Sequence, residues 1–64
     1  MKYFNYVTQT WDEIADVKAL TDEQARQYVP QQDNFQNRYL NHRLVGDSVA
    51  AALSYTLSAV LQQR

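Results

Sequence analysis

The chain has no cysteine, a single glycine and a single proline. Without cysteine there is no disulfide to staple a small fold and no thiolate for a zinc-type site. One glycine, Gly46, excludes a glycine-rich loop of the kind that cradles phosphate. Together with the lone Pro30 it argues against a turn-rich β fold and for helices. No stretch reaches the roughly 20 apolar residues of a membrane-spanning helix. The start, Met1 to Tyr6, lacks the uninterrupted apolar core of a secretory signal. A soluble, cytoplasmic protein with no membrane partner is expected, and no cofactor is implied.

What is present is enough for one domain, residues 1–64, with 45% apolar and 20% charged residues, a globular balance. A chain this short buries only about 60% of the surface its unfolded form exposes, so its stability margin is narrow. The net charge of −1 offers no general attraction to nucleic acid or anionic lipid. Charge is unevenly placed, however. Between Asp12 and Glu23 five carboxylates face Lys18 alone, whereas from Gln24 onward four arginines face two aspartates. Complementary charges on neighbouring elements are the simplest account of that asymmetry.

The strongest helical pattern lies at the C-terminal end. Val49, Leu53, Leu57, Val60 and Leu61 form one stripe, filled in by Ala52 and Thr56, and no charge occurs from Ser48 through Gln63. Gly46 is placed to end the preceding helix, and Asp47 or Ser48 to cap this one. Thr21 and Gln24 have capping-box spacing, with Asp22 and Glu23 where a helix N-terminus favours acids; Asp22 can pair with Arg26 one turn on. Pro30 ends that helix, and Asp33 is a candidate cap for the next. Phe4, Val7, Trp11 and Ile14 recur at spacings of three and four, which predicts a first helix. A competing reading makes Thr10 and Glu13 a capping box and Tyr3 to Thr8 an extended arm. The expected class is all-α, a small four-helix bundle with helices near 3–19, 22–29, 34–45 and 48–62, or three helices plus an N-terminal arm.

Catalysis finds little support in these residues. His42 is the only histidine, and no spacing sets a carboxylate behind it or a nucleophile beside it. Asp12, Glu13 and Asp16 could approach a hard cation only from one helix face, whereas such sites draw on loop carbonyls and several segments. Neither enzyme nor metal protein is expected. Nucleic-acid readout is a weightier alternative, since Arg38, Asn41 and Arg43 on the third predicted helix are residue types that reach base edges. The few cations available to neutralise phosphate count against it.

A protein-binding surface is the better-supported function. Ala50, Ser54 and Ser58 form a ladder of small residues, and Ala51, Tyr55 and Ala59 its neighbour, which lets another backbone approach closely. Tyr39 and Arg43 are candidate contacts beside it, because tyrosine and arginine are over-used at interfaces. The sequence therefore predicts a small interaction module, an inhibitor or adaptor that occludes a partner protein, a homo-oligomer, or both. A small DNA-binding regulator is the alternative.

Overall fold

The computed structural model describes residues 1–63. Strands β1 (Lys2–Asn5) and β2 (Thr10–Glu13) form an antiparallel hairpin, followed by a single 3-10 turn at Val17–Ala19. Three helices follow, α1 (Asp22–Arg26), α2 (Asp33–Leu44) and α3 (Val49–Gln62). The fold is therefore α+β, and the all-α bundle is overturned in both its forms. There is no helix over 3–19, and the extended segment returns on itself rather than remaining a single arm.

The periodicity that predicted a first helix has another origin. Phe4 and Trp11 are seven residues apart, two helical turns, but across this loop they are cross-strand partners. Thr10 caps nothing, because its hydroxyl donates to Asp12 Oδ1 at 2.9 Å along the same strand face. The turn is built by Asn5, whose side-chain oxygen accepts from the backbone of Val7 and Thr8, both at 2.9 Å. Gln9 closes it with φ +62° and a bond from its N–H to the Asn5 carbonyl at 2.7 Å.

The helical half follows its sequence signals closely. Thr21 and Gln24 make the reciprocal capping box in full, although α1 stops at Arg26 and not near residue 29. Ser48 caps α3 by accepting from the Ala51 N–H. Gly46, at φ +103°, ends α2: its N–H bonds the Arg43 carbonyl and the Asp47 N–H bonds that of His42, a Schellman arrangement. The expected cap at Asp33 is absent, since Gln32 holds the N-cap position without a side-chain bond and Asp33 begins the helix.

The core lies where α2 and α3 pack together with the end of α1. Tyr39, Leu53, Val29 and Thr56 are its largest fully buried side chains, joined by Phe35, Val49, Ala25, Ala52 and Tyr28. Thr56 is accommodated by donating to the Ala52 carbonyl at 2.7 Å. Gln36, also buried, holds the α1–α2 link: its amide donates to the Arg26 and Pro30 carbonyls, and its oxygen accepts from Arg26 Nε at 2.7 Å. That bond, and the engagement of Asp22 elsewhere, replace the Asp22–Arg26 pair expected from spacing.

Leu53 and Leu57 share one sequence stripe but not one environment. Leu53 is 1% exposed, whereas Leu57 is half-buried at the margin. Leu53→Ala is expected to cost about 2–5 kcal/mol and Leu57→Ala only about 1 kcal/mol, read from denaturant unfolding. Equal losses would place Leu57 in the core.

Candidate protein-binding surface

The hairpin docks on the helical body through one face. Tyr3, Asn5, Thr10 and Asp12 share that face, as the register pairs Tyr3 with Asp12 and Asn5 with Thr10. Tyr28 donates to Asp12 Oδ2 at 2.9 Å and meets the Tyr3 ring edge-on, centroids 6.2 Å apart. Asn5 donates to Gln27 Oε1 at 2.9 Å, and the Tyr6 N–H bonds the Gln27 carbonyl at 2.7 Å.

The opposite face carries Phe4, Tyr6 and Trp11. Phe4 lies edge-to-face against both, at 5.0 Å from Tyr6 and 5.3 Å from Trp11. Trp11 nonetheless remains 68% exposed. Beside these rings runs a groove of about 270 Å³, bounded on its far side by Leu57, Val60 and Leu61 from the end of α3. Tyr3 and Tyr28 contribute to its lining, and Met1 and Lys2 complete it. Leu61 is 80% exposed and Met1 75%, so among the described residues a contiguous apolar and aromatic surface is left open between residues 1–11 and 57–61.

The residues expected to bind protein are distributed differently. Ser54, Tyr55 and Ser58 lie exposed on α3, with Ala50 and Ala51 half-buried beside them. Tyr39 is inside: it is fully buried and its hydroxyl donates to Asp22 Oδ1 at 2.7 Å, so its ring has no surface to offer. Arg43 is tied down, its Nε to Asp22 Oδ1 at 2.8 Å and its Nη1 to the Asp47 carbonyl at 2.7 Å. For the nucleic-acid alternative, Arg38 and Asn41 line one groove of about 430 Å³ with Asn34, Asn37, His42 and Val45. Arg43 is not among its lining residues.

One polar grouping is not legible from spacing. His42 Nδ1 lies 2.9 Å from Asp47 Oδ2, and its ring stacks on Tyr55 with centroids 5.0 Å apart. A carboxylate does stand behind this histidine, brought there by the turn at Gly46, and no hydroxyl bonds it among the described residues. Conversely, β2 sends Asp12 and Glu13 to opposite faces while Asp16 caps the 3-10 turn, so these three acids do not converge. The aromatic groove is not legible in the sequence because its lining comes from three separated stretches, residues 1–11, Tyr28 and residues 57–61. The one available signal was the density of aromatics between Tyr3 and Trp11.

Two carboxylates that join elements, Asp12 and Asp22, are held below their ordinary values. Hydrogen bonds from Tyr28 and then Thr10 hold Asp12 below its ordinary value, against a smaller opposing effect of desolvation. Asp22 is lowered chiefly by the Arg43 hydrogen bond and next by that of Tyr39. Burial, then the facing aspartates, raise the hydroxyls of Tyr28 and Tyr39. A depressed carboxyl stabilises the fold fully above the unfolded value of about 4 and ceases to do so as pH falls through its folded value. A raised phenol stabilises below about 10 and is lost as pH rises beyond it. The melting temperature is therefore expected to be flat from about pH 5 to 9 and to fall at both extremes. Asp12→Asn with Asp22→Asn should flatten the acid limb while lowering the plateau; an unchanged acid limb in thermal melts would show that neither pair matters.

No protein-family model, no curated protein and no solved structure matches this chain.

Proposed function

We propose that this chain is a small protein-interaction module that acts by occupying the working surface of a partner protein, as an inhibitor or adaptor, by self-association, or both. The observation that supports this reading is the open apolar groove between the hairpin and the end of α3, with Trp11 and Leu61 standing exposed at its sides. In a chain with so small a core, aromatic side chains left in water are a cost unless something covers them. The exposed ladder of Ser54 and Ser58 is a second face that a partner can approach closely. No catalytic role enters this reading. Among the described residues no helix is long and apolar enough to cross a membrane.

The test pairs folding with association. Trp11→Ala and Leu61→Asp should leave helical circular dichroism intact and change stability by no more than about 1 kcal/mol. Each should lower affinity for the partner, or for a second copy, by about tenfold or more. Sedimentation over the micromolar range and paired pull-downs from the native host read this outcome. The reading fails if wild type is monomeric and the variants retain the same proteins as wild type.

The nucleic-acid alternative rests on the groove along α2 that Arg38 and Asn41 line. With Arg43 engaged by Asp22, few free cations remain there to neutralise phosphate. No duplex binding is expected at physiological salt. A gel shift at that salt, surviving competitor DNA and lost in Arg38→Ala, would reverse the order of the two readings.

A further inference from the structure

The phase of the hairpin ladder determines which backbone groups point away from it. The Ile14 N–H bonds the Met1 carbonyl at 2.8 Å, so Met1 and Ile14 are a hydrogen-bonded pair. Such pairs alternate along an antiparallel ladder, and Tyr3–Asp12 and Asn5–Thr10 are therefore the bonded ones. Lys2 and Phe4 consequently turn their N–H and C=O groups outward, along the free edge of β1. The next outward donor, the Tyr6 N–H, is already taken by the Gln27 carbonyl at 2.7 Å, so this edge does accept backbone. Neither Lys2 nor Phe4 has a backbone partner on that side among the described residues.

The edge adjoins the apolar groove, since Lys2 and Phe4 are themselves among its lining residues. Lys2 is also the one charged side chain in that lining, and no carboxylate pairs with it among the described residues. Its cross-strand neighbour Glu13 is engaged by the Met1 amine.

We infer that the groove receives an extended segment of a partner protein, added as a third strand along β1, with apolar side chains at alternate positions and an acidic residue beside Lys2. This deepens the proposed protein-binding role and rests on it. Three properties of the groove select this occupant. The alternating N–H and C=O row is complementary to an extended backbone and not to a helix, which satisfies its own groups internally. The apolar walls take every second side chain, because a strand sends alternate residues to opposite faces. The unpaired ammonium favours a carboxylate. A second copy of this chain paired through the same edge would bring another Lys2 instead, and lysine on an edge discourages uncharged self-pairing.

Random-peptide display against the folded chain, followed by chemical synthesis of one enriched peptide, tests this. The enriched sequences should alternate apolar residues and carry Asp or Glu. Saturation with the synthetic peptide should slow amide exchange of Lys2 and Phe4 by about tenfold and leave Tyr3 and Asn5, already in the ladder, unchanged. A chemically synthesised chain with N-methyl-Phe4 removes one edge donor and spares the β1–β2 bonds. It should fold as judged by circular dichroism and bind about tenfold more weakly. Lys2→Glu, at an exposed position, should turn the charge preference of selected peptides from acidic to basic. Strand addition is overturned if no peptide is enriched, if enriched peptides bind as helices, or if N-methyl-Phe4 binds like wild type. It is equally overturned if Phe4 exchange slows with protein concentration alone, which would make the occupant a second copy. Peptides that still need Trp11 and Leu61 but ignore the Phe4 amide would sink strand addition and leave the protein-binding role standing. Peptides indifferent to all three would remove both.

Discussion

One buried amide holds the N-terminal third of this protein to the rest. Asn5 is 3% exposed, and both ends of its side chain are occupied. The oxygen fixes the loop through Val7 and Thr8, and the nitrogen reaches Gln27 Oε1 and, at 3.4 Å, Asp12. A two-stranded hairpin is marginal alone in water, so it persists only while something anchors it. Here the same residue that shapes the turn attaches it to the end of α1. Tyr28 reinforces that attachment from the helical side through Asp12 and Tyr3. The aromatic groove exists because this anchoring holds β1 across from the last turns of α3.

A second polar cluster performs the corresponding task for the helices. Asp22, in the first turn of α1, receives both the Tyr39 hydroxyl and the Arg43 guanidinium from α2. Arg43 passes on to the Asp47 carbonyl, so one arginine links α1, α2 and the turn before α3. The Asp22–Arg43 ion pair is partly solvated and contributes little alone. Its significance lies in satisfying the buried phenol of Tyr39, which would otherwise lack a partner at the centre of the core.

The sequence made the helical half readable because its signals are local. Thr21–Gln24, Gly46 and Ser48 each act within four residues, and each made the terminus that its chemistry implies. The hairpin was not readable, since a loop that sets Phe4 opposite Trp11 imitates two helical turns. The side chains that join distant elements were silent for a related reason. Gln36 and Asn5 read as surface amides until the chain brings Arg26 and Gln27 to them. The same applies to the site. The helix carrying Ser54 and Ser58 could be anticipated, whereas the burial of Tyr39 and the groove between residues 1–11 and 57–61 depend on contacts across most of the chain.

Gly46 carries an implication about handedness. Its φ of +103° is one that left-handed backbone favours, yet a side chain placed there would meet nothing within 4 Å. Size is therefore no obstacle at this position; stereochemistry alone restricts it. An L-residue would strain the turn that brings Asp47 to His42, whereas the mirror-image D-alanine enters the same geometry without strain. It would also narrow the freedom of the unfolded chain, a gain of about 0.4–1 kcal/mol by analogy with glycine replacements elsewhere. The junction between α2 and α3 thus selects for chirality and not for volume.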